Sequence, residues 1–268
     1  MSHIGEPVKA IDSLDVLIAC GLIAVVMGLS AWRRLGLAKD LAVGTVRTVI
    51  QLLIMGYVIL FLFDQNRAPL TVAIILVMVL FAGWTALRKC QCRRLEVYPI
   101  TMISIFVGSG VTLAYVMQLV VRPDSWSNPQ YLIPLAGMIV GNAMNGTALA
   151  IERLQSEVRS NRAAIEVRLS LGATRLQAAA EAVRRAVGAA LIPPINAMMV
   201  VGLVFLPGMM TGQILAGTPP VIAARYQMVV MLMLPAATAL SVLLAVFFFV
   251  PRLFTPAHQL REEIREEL

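Results

Sequence analysis

Few side chains in the apolar parts of this sequence could do chemistry. Asn142 and Asn145 lie in one apolar stretch, and Asn196 lies in another. A buried amide needs a partner or a wet cavity, so these residues predict either a transport pathway or polar contacts between helices. Arg47 and Gln51 are four residues apart and share a helix face. Arg47 could be a positioned charge, or it could extend to the membrane interface.

The 15 methionines suggest a second kind of chemistry, because thioethers suit soft metals such as Cu(I). Methionine is also an adaptable apolar filler, so simple packing stays an alternative. Cys90 and Cys92 are a weaker metal signal, because their spacing is not CxxC and their neighbours are basic. The identity of any metal stays open. The candidate thioether ligands are Met138, Met144, Met209 and Met210.

Several catalytic and nucleotide-binding patterns are missing from the sequence. It contains no GxxxxGK[ST], HExxH or GxSxG, and both histidines lie near the chain ends. The apolar stretches contain no pair of carboxylates that could relay protons. We therefore predict a protein that is not itself an enzyme, needs no cofactor and takes its energy from a partner.

The composition predicts an all-α, polytopic membrane protein. Of 268 residues, 59% are hydrophobic and 14% are charged, against about 25% charged in soluble domains. A membrane span needs about 20 apolar residues, and seven candidates form one predicted membrane domain, 1–268. They are Leu14–Trp32, Leu41–Phe63, Pro69–Leu87, Tyr98–Val121, Tyr131–Ile151, Val187–Leu206 and Ala224–Val250.

The basic residues predict the orientation. The net charge is +7, and most Lys and Arg residues fall in the connectors after the first, third, fifth and seventh spans. Cytoplasmic loops of membrane proteins carry such an excess, so the N-terminus should lie outside and the C-terminus in the cytoplasm. The same explanation of the charge argues against a nucleic-acid partner.

The longest basic connector, at about 152–187, predicts a cytoplasmic helical arm. Ile151, Leu154, Val158, Ile165 and Leu169 form one apolar stripe, which indicates that the fifth span continues as a single helix. A break at Gly172 and a capping box from Thr174 to Gln177 should begin a second helix. Its apolar stripe is Leu176, Ala180, Val183 and Val187.

Two interpretations of this arm stay open. It could dock into a groove on a partner, or it could lie on the membrane surface with its arginines facing anionic lipid. At the membrane end of the same stretch, Gly137 and Gly141 form GxxxG, which favours close helix packing. That helix could line the pathway, line a subunit interface or simply pack against its neighbours.

Long motifs in this chain resemble the FetB-type permeases, the membrane subunits of iron-export ABC transporters. The same family is similar to plant permease-like proteins linked to aluminium tolerance. The similarity covers nearly the whole chain. The motifs are RTVIQLLIMGYVIL (Arg47–Leu60), PLAGMIVGNAMNG (Pro134–Gly146), LSLGAT (Leu169–Thr174), GLVFLPGMMTGQILAG (Gly202–Gly217) and RYQ (Arg225–Gln227).

The resemblance implies a permease of the cell inner membrane that exports iron or a related metal. It also implies a separate ABC ATP-binding subunit and two copies of each chain. LSLGAT would be the coupling segment, comparable to the Glu-Ala-Ala loop of ABC importers, although Pro193 lies further downstream than that pattern expects. The alternative is a stand-alone channel or secondary metal transporter. The predicted coupling residues are Leu169, Ser170, Leu171, Gly172, Ala173 and Thr174.

Overall fold

The computed structural model describes residues 12–65, 67–89, 97–123, 128–255, 257 and 259–261. Its regular structure is helical, as the sequence predicted. Cys90 and Cys92 lie outside the described residues. The helices are α1 (Ser13–Trp32), α2 (Ala38–Gln65), α3 (Ala68–Lys89), α4 (Tyr98–Tyr115), α5 (Pro129–Ser160), α6 (Arg162–Ser170), α7 (Arg175–Val200), α8 (Gly208–Leu215) and α9 (Pro220–Phe249). A π-helix, Val116–Val121, follows α4, and a 3₁₀ turn, Val250–Leu253, follows α9.

Six helices in the described part of the chain are long and apolar enough to cross a membrane. They are α1, α2, α3, α4 with its π-helix, α5 and α9. The predicted sixth span falls on α7, whose apolar part begins only after Arg185 and ends at Val200. That part is shorter than the roughly 20 residues that a straight span needs. Seven spans and the N-outside orientation therefore stay predictions.

Two segments that contain helix-disfavouring prolines and glycines are nevertheless helical. Pro193 and Pro194 lie inside α7, which continues through both of them to Val200. Glycine and proline in the uncharged segment 206–221 disfavour a regular helix, yet Gly208–Leu215 forms the short helix α8. Its place relative to the membrane stays open.

The chain divides into two compact units, residues 1–67 with 215–217, and residues 68–214 with 218–268. In the first unit, α1 and α2 form a hairpin whose large apolar side chains are mostly exposed. The connector is tightened by Ser30, whose Oγ accepts a hydrogen bond from the Leu37 N–H (3.2 Å). Exposed apolar helix faces suit contact with lipid or another apolar surface, and would be costly in water.

The second unit is a helical bundle in which α5 and α9 pack along each other and against α4. It has an arm-side apolar cluster, built from Ala150–Val158 of α5, Val242–Phe249 of α9 and part of α7. It also has a far apolar cluster, built from the end of α4 with its π-helix, Leu132–Ile139 of α5 and Val230–Ala237 of α9. A third cluster joins α3, α4 and the middle of α5.

Candidate functional site

The arm reverses direction at the predicted Gly172 break, but the part before the break is two helices and not one. Helix α5 ends at Ser160. Asn161 forms a turn, and the separate helix α6 begins at Arg162. The prediction that the fifth span continues as a single helix up to the Gly172 break was therefore wrong. Asn161 ends α5 by donating its side-chain amide to the Glu157 carbonyl (2.9 Å), a local bond that competes with helix continuation.

The turn between α6 and α7 forms as the sequence predicts. Gly172 has φ +88°, a left-handed conformation that glycine adopts without a steric penalty. Thr174 begins α7 with a capping box: its Oγ1 accepts from the Gln177 N–H (3.3 Å), and its own N–H donates to the Gln177 side chain (2.9 Å). These contacts fix the direction of the chain as it reverses at the end of the hairpin.

The inner side of the hairpin is only partly the one predicted. Ile151, Leu154, Val158 and Ile165 are buried and Leu169 is partly buried, which agrees with the first stripe. The second stripe was wrong at Leu176 and Ala180, which are exposed, whereas Val183 and Val187 pack against the arm-side apolar cluster. Alanines form the buried face of α7 instead, and they let this helix approach α5 and α9 closely. They are Ala178, Ala179, Ala182, Ala186 and Ala190.

An exposed apolar patch marks the end of the hairpin. The exposed fraction is 81% for Leu171, 57% for Val167 and 49% for Leu176, and we call these three residues the tip. Among the other predicted coupling residues, Ala173 is partly buried, and the Ser170 hydroxyl donates to the Val167 carbonyl (2.8 Å). Leu171 is thus the predicted coupling residue with the most exposed large side chain.

A buried carboxylate holds the base of the arm together. Glu157 is only 5% exposed. Its Oε1 lies 2.6 Å from Arg153 Nη2, and its Oε2 lies 3.3 Å from Arg185 Nη1 of α7. Asn161 also donates to Oε2 (3.2 Å). We call these four residues the Glu157 hub, and it connects α5 to α7.

Sequence reasoning missed this hub. The spacing of Arg153 and Glu157 by itself indicates only an i,i+4 pair on a helix, like the pair formed by Arg162 and Glu166 (2.8 Å). Arg185 is 28 residues further along the chain, so no local pattern connects it to Glu157. One feature of the sequence could have indicated that Glu157 is buried. It lies three residues after Leu154 and next to Val158, on the apolar side of its helix.

Arg185 also pairs with a second carboxylate on its own helix. Its Nε lies 3.0 Å from Glu181 Oε1. That hydrogen bond, with the nearby charge of Arg184, lowers the pKa of Glu181 from its ordinary value of 4.5. In return, Glu181 and then Glu157 raise the pKa of Arg185. Both residues therefore keep their charges at neutral pH.

Only the first glycine of the predicted GxxxG motif makes a close contact with a neighbouring helix. A methyl group added to Gly137 would lie 3.2 Å from Met78 Cε of α3, whereas one added to Gly141 would meet nothing within 4 Å. The closest approach in this helix occurs at Gly146, where an added methyl would overlap the Thr238 methyl of α9. Gly146 is thus a point of close contact between α5 and α9.

The amide candidates are not brought together as a single site. Asn142 is partly buried and donates to the Met138 carbonyl one turn earlier (3.0 Å), which is a local helix contact. Asn145 and Asn196 are exposed in this chain. Arg47 and Gln51 are also exposed, on α2 in the first unit.

The methionine candidates are mainly packing residues. Met138 and Met209 pack against the far apolar cluster, and Met144 packs against the cluster of α3, α4 and α5. Met210 is partly buried. Among the described residues, no group of three or more His, Cys, Asp or Glu side chains could hold a metal ion. These contacts favour the filler interpretation of the methionines.

Comparisons with known proteins give this architecture a family context. The model of the uncharacterised protein family UPF0014 matches residues 13–254. The rice (Oryza sativa subsp. japonica) protein "UPF0014 membrane protein STAR2" is 37% identical over 254 residues, which cover 95% of this chain and 88% of the relative. No solved structure gives a significant match.

Two further relatives have names that refer to metals. The Escherichia coli K12 protein "Probable iron export permease protein FetB" is 37% identical over 250 residues, 93% of this chain and 95% of its own. The Arabidopsis thaliana protein "ALUMINUM SENSITIVE 3" is 34% identical over 243 residues, 91% of this chain and 87% of its own. The chain is therefore similar to these membrane proteins over nearly its full length.

Proposed function

Because the chain belongs to the UPF0014 family, we propose that it is the membrane permease subunit of an ATP-driven exporter of iron or a related metal cation. The observation that carries this proposal is the near full-length similarity to the E. coli protein named as a probable iron export permease. The Arabidopsis relative extends the substrate class to other hard cations, because its name refers to aluminium. The chain is a multi-pass membrane protein, and we place it in the cell inner membrane as a homodimer.

The arm supports the second part of the proposal, a separate ABC ATP-binding subunit. Leu171, Val167 and Leu176 expose apolar surface at the end of a hairpin whose inner side is packed. Apolar side chains held on a rigid turn suit a pocket on another protein, because little conformational entropy is lost when they dock. We place the arm in the cytoplasm, where the ATPase would bind residues 169–174.

The first experiment tests the docking surface. We expect Leu171→Asp to abolish co-purification with the ATPase, because a charge would enter an apolar pocket without a partner. Ser156→Asp is the matched control, since Ser156 is exposed on α5 away from the tip and receives the same charge. The docking assignment is wrong if the Leu171 variant still binds the ATPase and stimulates ATP hydrolysis.

The second experiment tests the substrate and the energy source. Permease and ATPase would be reconstituted in vesicles, and iron movement would be measured with ATP, without ATP and with a non-hydrolysable analogue. We expect transport only with hydrolysable ATP. Equal iron movement under all three conditions would instead support a stand-alone channel or secondary transporter, with the arm lying on the membrane surface.

A further inference from the structure

A layer of hydroxyl-bearing side chains crosses the second unit between its two main apolar clusters. On α5 and α9, residues of the far cluster come before this layer and residues of the arm-side cluster come after it. On α4 the order is reversed, because Tyr98 packs on the arm-side cluster and Leu113 on the far cluster. We call these residues the hydroxyl layer. They are Ser104, Ser109 and Thr112 of α4, Thr147 of α5, and Thr238 and Ser241 of α9.

The hydroxyls of this layer are of two kinds. Thr112 donates to the Gly108 carbonyl (2.9 Å), and Thr238 donates to the Leu234 carbonyl (2.8 Å), as is usual for threonine in a helix. The others are at most 4% exposed and have no hydrogen-bond partner in the described part of the chain. The unpaired oxygens belong to Ser104, Ser109, Thr147 and Ser241.

These unpaired hydroxyls need an explanation beyond packing. A buried polar group without a partner costs about 1–3 kcal/mol, and an alanine or valine of similar shape would avoid that cost. Unpaired polar groups are rare in native structures and often mark a functional site. Four of them between the two main apolar clusters of one bundle therefore indicate a place where polar ligands bind during function.

The layer is closed in this structure. A methyl group added to Gly108 of α4 would lie 2.7 Å from the Ser241 backbone nitrogen and 2.9 Å from its Cα. At Gly146 of α5, an added methyl would overlap Thr238 of the same helix, α9. Because α9 touches the backbones of both neighbours at this level, a ligand reaches the hydroxyls only when α9 moves away.

We propose that the four unpaired hydroxyls of this layer form the middle of the transport path, where the hydrated cation meets their oxygens once α9 has separated from α4 and α5. This inference rests on the proposed function. Oxygen atoms are the ligands that hard cations prefer. The hydroxyls are neutral and do not offset the charge of an ion, so the cation crosses with bound water. The hydroxyl oxygens then accept hydrogen bonds from that water.

The test compares unpaired hydroxyls with paired ones in the same layer. Ser104→Ala, Thr147→Val and Ser241→Ala each remove an unpaired oxygen, whereas Thr112→Val and Thr238→Val remove oxygens already bonded to the backbone. We expect ATP-dependent iron export to fall about tenfold in the first group, with thermal stability unchanged or raised. The control variants should export iron within about twofold of the unsubstituted protein.

A purely structural role predicts a different result. It would change the stability of the first group without changing its export, and that outcome overturns the proposal. Equal losses of export in the two groups also overturn it, because the unpaired oxygens would then have no special part.

A second measurement does not depend on the metal. Ser104→Cys and Ser241→Cys, which change the size of the side chain little, would be made in a chain whose three native cysteines are replaced by alanine. A cationic methanethiosulfonate reagent would be applied to the complex during ATP turnover. Ala86→Cys is the control, because Ala86 is fully buried in the cluster of α3, α4 and α5, which contains no residue of α9. We expect labelling in the layer and none at the control position.

The two measurements separate the failure of this inference from failure of the proposed function. Labelling of the layer without iron export by the unsubstituted complex would refute iron as the substrate and retain the path. Normal iron export without labelling of the layer would refute the path and retain the permease. Absence of both would refute both.

Discussion

Replacing the buried carboxylate with an amide tests how strongly the base of the arm is held. Glu157→Gln keeps the size of the side chain and one oxygen acceptor, but it removes the charge that Arg153 and Arg185 share. We expect the variant to be less stable. Because Glu157 connects α5 to α7, we also expect fewer metal ions to be exported per ATP hydrolysed.

The magnitude follows from the exposure of the three groups. Breaking a fully buried ion pair costs about 3–5 kcal/mol, because one charge is left without solvent or partner. Here the side chains of Arg153 and Arg185 are 50% and 52% exposed. Water therefore still solvates their charges after Glu157 is replaced. An exposed pair contributes about 0.2–1 kcal/mol. With two pairs on one buried carboxylate, we expect a loss of about 1–2 kcal/mol in the free energy of unfolding.

The assay is reversible unfolding of the detergent-solubilised protein, with Glu166→Gln as the matched control. Glu166 forms the same kind of i,i+4 pair with Arg162 on the arm, but its side chain is 47% exposed. We expect the control to lose less than about 0.5 kcal/mol. Equal effects of the two substitutions, or a gain in stability from Glu157→Gln, would refute the role of the hub as a tie between α5 and α7.

Two further predictions concern helix packing and pH. Gly108→Ala should destabilise the protein by about 1–3 kcal/mol, because its methyl group meets the α9 backbone at Ser241. Gly110→Ala on the same helix meets nothing within 4 Å and should leave the melting temperature unchanged or higher, so equal effects would contradict the close contact. The pKa of Glu181 is lowered in the folded state, so its stabilising pairing is complete above its ordinary pKa of 4.5 and is lost as the pH falls below that value. The difference in melting temperature between the unsubstituted protein and Glu181→Gln should therefore shrink between pH 7 and pH 3, and a difference that is constant with pH would contradict the pairing.

Local patterns in the sequence predicted most of the helices and the turn of the arm. Long apolar runs predicted the six membrane-length helices, and the Gly172 break with the Thr174 capping box has the expected geometry. These features depend on neighbours within a few residues, which is why they can be predicted from one sequence. The family resemblance, carried by longer motifs, is confirmed by the relative that is 37% identical.

Features that depend on distant residues were missed or predicted wrongly. The pairing of Glu157 with Arg185 and the contact of Gly108 with Ser241 each join segments that no periodicity relates. Helical spacing placed Leu176 and Ala180 on the buried face of α7 together with Val183 and Val187, but Leu176 and Ala180 are exposed. Alanine occupies that face instead, since the close approach of α5 and α9 leaves room only for a small side chain.

One helix connects the arm to the proposed path. Helix α5 runs without interruption from Thr147 in the hydroxyl layer to Glu157 in the hub and ends at Ser160. At 1.5 Å per residue, the layer and the hub are about 15 Å apart along this helix. A packed helix transmits displacement over such a distance, because cores and interfaces are not continuously deformable. Movement of the arm by a bound ATPase would therefore shift the α5 backbone at Gly146, where it touches α9 at Thr238. That contact is one of those that keep the layer closed, so in the proposed transporter the helix that the ATPase would move also forms part of the contact that closes the path.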